Sequence, residues 1–104
     1  MPKAYWIAHV TITNPERYKD YITLNAVAFK KYNARFIVRG GKHEIRRGYA
    51  PDQRHVVLEF ADYETAKACY DSPEYKTAAA VRDEASKADI MIIEGYDGPQ
   101  PAGA

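Results

Sequence analysis

Apolar and polar residues alternate from Ala4 to Ile12, with Trp6, Ala8, Val10 and Ile12 on one side and Tyr5, Ile7, His9 and Thr11 on the other. A period of two predicts a strand, and neither of its faces is polar enough to be left wholly to water. The pattern then changes at Asn14-Pro15-Glu16, an N-cap, a first-turn proline and an acid that complements the helix dipole. A helix is expected to about Tyr32 or Asn33, with Tyr18, Tyr21, Ile22, Asn25, Ala28, Phe29 and Tyr32 in one stripe and Leu24 and Val27 off it. Ala34 to Arg39 predicts a second strand, Phe36 and Val38 opposing Arg35, Ile37 and Arg39, and Gly40-Gly41 ends it in a turn or bulge. Lys42 to Gly48 alternates weakly around Ile45 as a ragged edge ribbon or strand extension, and a loop follows over Tyr49 to Gln53.

His55 to Phe60 predicts the third strand, with Val56, Leu58 and Phe60 facing away from His55, Val57 and Glu59. A helix follows from about Tyr63 to Lys87, capped by Asp62 and restarted at Ser72-Pro73. On its second half Tyr75, Ala78, Ala79, Arg82, Ala85 and Ser86 share a face. Asp89 to Tyr96 closes the pattern as a nearly continuous apolar strand of the kind covered on both sides. The order βαββαβ predicts an α+β, ferredoxin-like domain: a four-stranded antiparallel sheet with helices on one face, the first and third strands central and the fourth beside the first. Tyr5, Ile7, Ile37 and Val57 would populate the face the helices leave open, so a second copy of the chain is expected to cover it. The reading gives one domain, residues 1–97, and a flexible Gly/Pro/Ala-rich tail, residues 98–104.

Composition narrows the partners. With 104 residues and 46% hydrophobic content the core is modest, which favours help from a partner subunit. Fifteen basic and fourteen acidic residues, in no long run of either sign, leave no electrostatic footprint for nucleic acid or an anionic membrane. The start MPKAYWIAHV lacks the basic-then-apolar layout of a secretory leader, and Cys69 is the single cysteine, so a cytoplasmic protein without an internal disulfide is expected. No apolar run approaches the ~20 residues of a membrane-spanning helix.

Several segments in order, YWIAHVTITNPERYKDY, Arg39-Gly40-Gly41, RHVVLEF from Arg54 to Phe60, Ser72-Pro73-Glu74-Tyr75, Arg82 and Glu94-Gly95, together resemble the domain of unknown function 1330 family. That family is a branch of the dimeric α/β-barrel superfamily, and the similarity runs from about Ala4 to Tyr96. The resemblance implies a ferredoxin-like protomer and a two-sheet homodimer. It implies no single reaction, since the superfamily spans cofactor-independent monooxygenases, haem-degrading enzymes, lactone isomerases and ligand-sensing domains. After its RGG this chain continues KHEIRRGYAPDQR where relatives often have a short EG turn, so no role is carried onto Lys42 to Gln53.

Arg82 is the sharpest chemical signal. A guanidinium turned inward among alanines cannot lose its proton to escape burial, and it needs a carboxylate such as Glu59 or Asp71, helix-end carbonyls, or a bound anion. Tyr75 lies two turns away on the same face, and Tyr21 and Asn25 belong to the opposing helix, so Tyr21, Asn25, Tyr75 and Arg82 form a candidate cleft for a small anionic or aromatic ligand. Asn25 instead satisfies a backbone group or a tyrosine in the structural alternative. On the other face His9, Arg39, His55 and Glu59 would make a polar seam at the dimer, with Arg35 nearby; a metal pair or a general base there is the competing reading. No two histidines have helical metal spacing, Gly40-Gly41 lacks the dinucleotide-loop pattern, and Cys69 has no cationic neighbour, so neither a metal, a cofactor nor a thiol nucleophile is expected. Two functions remain open: a homodimer binding a small metabolite, with or without cofactor-independent chemistry, and a non-catalytic dimerisation or ligand-sensing module.

Overall fold

The computed structural model describes residues 2–103, so Met1 of the expected domain and Ala104 of the expected tail lie outside the described residues. The elements are β1 (Ala4–Ile12), α1 (Pro15–Lys31), β2 (Arg35–Arg39), β3 (Arg54–Phe60), α2 (Tyr63–Asp71), α3 (Pro73–Ala85) and β4 (Ser86–Glu94). The four strands pair antiparallel in the order β2-β3-β1-β4, which is the ferredoxin-like sheet the pattern predicts.

Each helix starts where its capping residues dictate. Asn14 Oδ1 accepts from the Arg17 N–H, Asp62 Oδ1 from that of Thr65, and Ser72 Oγ from that of Tyr75. Ser72 also donates to the Cys69 carbonyl at 2.6 Å, so one buried hydroxyl closes α2 and opens α3. The helices cover one face of the sheet. There Ala4, Trp6, Ala8 and Val10 of β1 and Val56, Leu58 and Phe60 of β3 are buried against Tyr18, Tyr21, Ala28, Phe29, Tyr75, Ala78 and Val81. Trp6 sits at the centre, its ring against Phe29, Phe60, Tyr70 and Tyr75, and its Nε1–H donates to the Ala66 carbonyl at 2.9 Å.

Three expectations about the strands are corrected. Lys42 to Gly48 forms neither helix nor strand: its weak alternation around Ile45 makes no ladder, and β2 pairs only with β3. β4 begins at Ser86 and not Asp89: the Ala85 carbonyl is taken by the Thr13 and Asn14 N–H groups, which ends α3, and pairing then runs from Ile12 opposite Ser86 to Ala4 opposite Glu94. A bulge between Phe36 and Val38 breaks the alternation of β2, so Val38 pairs with Val57 on the open face and Arg39 pairs with Val56 on the helix side. Leu24 packs against the core while Val27 is exposed. Among the described residues no helix is long and apolar enough to cross a membrane.

Candidate functional site

A cavity of about 40 Å³ lies between α1, α3 and the helix-side face of the sheet. All four residues of the expected cleft, Tyr21, Asn25, Tyr75 and Arg82, line it. The spacing of the tyrosines explains how: Tyr21 lies on the buried stripe of α1, Tyr75 is in the first turn of α3, and their hydroxyls meet across the helix pair at 2.7 Å. Arg82, two turns further along α3, donates from Nη1 to the Tyr75 hydroxyl at 3.1 Å and to the Tyr70 hydroxyl at 3.2 Å. None of the carboxylates considered from the sequence is its partner. Its ion pair is with the adjacent Asp83 at 3.1 Å, whose side chain is 70% exposed while that of Arg82 is 12% exposed. The guanidinium is thus held by phenols and a solvated neighbour, with no buried carboxylate of its own.

Burial pushes the Tyr21 phenol well above the ordinary tyrosine range, reinforced by Tyr75 and opposed by Asn25 and Arg82. Tyr75 is also raised by burial, against the pull of its hydrogen bonds to Tyr21 and Arg82. For Arg82 burial works downward, but Tyr75, Tyr70 and Asp83 outweigh it and the pKa rises. The phenols are therefore neutral and the arginine charged at neutral pH. Among the described residues no carboxylate and no imidazole line this cavity, so it offers hydrogen-bond donors and positive charge and holds no ordinary proton acceptor.

Sequence reasoning did not assign two charged lining residues to this cleft, Arg39 and Arg54. Arg54 was legible, since it stands two residues before Val56 and shares that residue's face. Arg39 was not, because only the bulge brings it round to the helix side, where its guanidinium lies 4.1 Å from the Phe36 ring centroid. Gly40 sits at φ +62°, and a Cβ there would lie 2.7 Å from Arg54 Nη1, so the glycine both turns the chain and leaves room for that guanidinium.

The expected polar seam is divided. His9 and His55 are opposite each other in the β1–β3 register, with their Nδ1 atoms 2.8 Å apart. His55 Nε2 is buried with no partner, and one of the two Nδ1 atoms donates to the other. Burial, His43 and His9 hold the His55 pKa below its ordinary value. The two rings form the floor of an open groove of about 430 Å³ with His43, Tyr49, Arg46 and Arg47. Glu59 belongs elsewhere: four residues along β3, about 13 Å by strand rise, it bridges Lys3 at 3.3 Å and Arg35 at 3.9 Å. Arg39 leaves the seam altogether for the helix side, by the bulge described above. Cys69 is buried and its thiol pushed up to about 12 by that burial, which keeps it protonated. Among the described residues no group of three or more His, Cys, Asp or Glu is placed to hold a metal ion.

A family model described as a domain of unknown function, DUF1330, matches residues 3–96. The chain belongs to the DUF1330 family. No curated protein is significantly similar to it. Among solved structures, this DUF1330 chain superposes on RPA0582, a protein of unknown function from Rhodopseudomonas palustris, with a TM-score of 0.72 at 14% identity, covering 93% of this chain and 85% of that one. SnoaB, a cofactor-independent oxygenase from Streptomyces nogalater, gives 0.63 at 12% identity, covering 94% and 97%. A conserved protein from Methanosarcina mazei Go1 gives 0.60 at 16% identity, covering 92% and 95%. Identities this low establish a shared ferredoxin-like fold and nothing finer. Within the DUF1330 chain the segments that carried the family resemblance fall around the cavity: Arg39-Gly40 and Arg54 at one edge, Tyr75 and Arg82 on α3, and Tyr18 and Tyr21 on α1.

Proposed function

We propose that this DUF1330 protein is a homodimer that binds a small anionic or aromatic metabolite in the cavity between its helices and sheet, with donors suited to cofactor-independent chemistry on an anion or enolate. The observation that carries the reading is Arg82, a largely buried cation on a cavity wall whose ion partner, Asp83, points to solvent. A ligand anion would supply the partner that the protein does not. Tyr21, Asn25 and Tyr75 add neutral hydrogen-bonding groups on the same wall, and the Trp6 and Phe29 rings give an aromatic surface. That SnoaB is a cofactor-independent oxygenase supports the capacity of this fold for such chemistry. A cytoplasmic setting is part of the proposal.

Dimerisation rests on the open face of the sheet. Val38, Val57, Ile7 and Met91 lie opposite one another in register, an apolar row across all four strands, with Ile93 and Tyr5 in the next row. Val38, Met91 and Ile93 are each more than two-fifths exposed, and no element of the same chain covers them. A second copy stacking sheet on sheet would bury the row.

The absence of a proton acceptor among the described lining residues favours, as the second reading, a ligand-sensing module without turnover. Thermal unfolding with benzoate, small lactones and haem tests the first part of the proposal. An acid present at a hundred times its Kd should add about 2.7 kcal/mol, and Arg82→Met should abolish that gain. Haem serves as the bulky comparison ligand. If no carboxylate stabilises the wild-type protein, the binding reading fails.

A further inference from the structure

The proposed cavity carries more positive charge than one carboxylate needs. Arg39, Arg54 and Arg82 all line it, and among the described residues neither Arg39 nor Arg54 forms a salt bridge. Arg82 comes from the last turn of α3, whereas Arg39 ends β2 and Arg54 begins β3 at the same edge of the sheet. The charges therefore reach the ligand space from two separate walls. Tyr18, buried on α1, lies within the fields of both Arg54 and Arg82, which draw its phenol down against the upward push of burial. Its position places the two guanidiniums around one ligand space rather than in unrelated parts of the molecule.

The volume bears on what fits. The cavity, about 40 Å³ and partly open, admits one acidic group of a ligand beside Arg82. The remainder of any ligand must extend toward the mouth. Arg39 is exposed there, stacked on Phe36, and Arg54 is half-buried against Gly40. A planar guanidinium with free N–H groups is built to take a second carboxylate in a forked hydrogen bond.

Building on the binding reading above, we infer that the ligand is a compact dianion, a short or aromatic dicarboxylate, with one acidic group at Arg82, Tyr75 and Tyr18 and the other at Arg54 and Arg39. Arg54, half-buried where Arg39 is exposed, is the specificity-determining residue of the pair, and Arg39 adds charge at the rim. A monocarboxylate fills the inner station alone.

Titration calorimetry at fixed ionic strength with benzoate, isophthalate, terephthalate and succinate tests this. At least one dicarboxylate should bind the wild-type protein about tenfold more tightly than benzoate. Arg54→Gln combined with Arg39→Gln should erase that advantage, costing the dicarboxylate about tenfold more affinity than it costs benzoate, and Arg54→Lys should restore part of it. Arg82→Met should weaken both classes. The urea midpoint of each ligand-free variant checks that it folds. Equal affinity for benzoate and every dicarboxylate, or a double variant that retains the advantage, overturns the second station while leaving the Arg82 reading intact. Failure of all four acids to bind the wild-type protein overturns both.

Discussion

Arg82 was recognisable in the sequence as a cation out of place, yet the partners weighed for it, Glu59 and Asp71, are not those it has. The difference changes the expected mutant. Removing one member of a buried ion pair leaves an unpaired charge and costs roughly 3–5 kcal/mol. Arg82→Met strands no buried carboxylate, because Asp83 is already solvated and the Tyr21–Tyr75 bond survives, so the ligand-free protein should lose less than about 2 kcal/mol. Urea unfolding of the two proteins without ligand measures it. His55 gives a second residue-scale prediction. Its folded pKa is lower than its unfolded one, so between those values the unfolded chain binds more protons and stability rises with pH. Its contribution should be intact above about pH 6.5, the ordinary histidine value, and should decline as pH falls through the folded pKa. His9, His43, Arg46 and Arg47 around the groove add repulsion on protonation, while Asp89, opposite His9 in β4, and Glu44 oppose it. Thermal midpoints from pH 8 to pH 5 should drop more steeply for the wild-type protein than for His55→Gln; parallel curves would show that His55 does not contribute.

At the scale of elements, local chemistry was legible wherever one residue decides a boundary. Asn14-Pro15, Asp62 and Ser72-Pro73 start helices at the predicted positions because capping uses groups only two or three residues away. Ser72 serves two helices, so Ser72→Ala should lose roughly 1–2 kcal/mol in the urea midpoint, with the loss carried by the Tyr75 N–H it leaves without its cap, while the Cys69 carbonyl keeps its bond from the backbone N–H of that residue. The bulge in β2 was not legible. Phe36, Ile37 and Val38 are all apolar, so no alternation marks which residue is the extra one, and pairing with β3 makes that choice. Its consequence is chemical, since it moves Arg39 from the open face to the cavity. The early start of β4 has the same origin: Ser86 and Lys87 read as helix, and the edge of β1 recruits them.

For the whole molecule, the apolar row Val38–Val57–Ile7–Met91 sets the expected assembly. Ile7→Lys puts a charge at the middle of that row, on a side chain that makes no contribution to the helix-side core, so the variant should sediment as a folded monomer at micromolar concentration where the wild-type protein sediments as a dimer. A wild-type monomer under those conditions would remove the homodimer from the proposal. A dimer that survives Ile7→Lys unchanged would place the contact on another surface.

The order of elements, their capping, the buried faces of β1, β3 and α1, and the nearness of Tyr21, Asn25, Tyr75 and Arg82 were all determined by the sequence itself, because periodicity and capping depend on near neighbours and the βαββαβ order admits few topologies. What tertiary structure alone decided was pairing between residues far apart in the chain. The β2–β3 register turned Arg39 inward, the β1–β3 register set His9 against His55 while leaving Glu59 to Lys3, and the helix pair gave Arg82 two phenols in place of a carboxylate. Each of those outcomes turns on a one-residue slip or a few ångströms of helix packing, which no local pattern encodes.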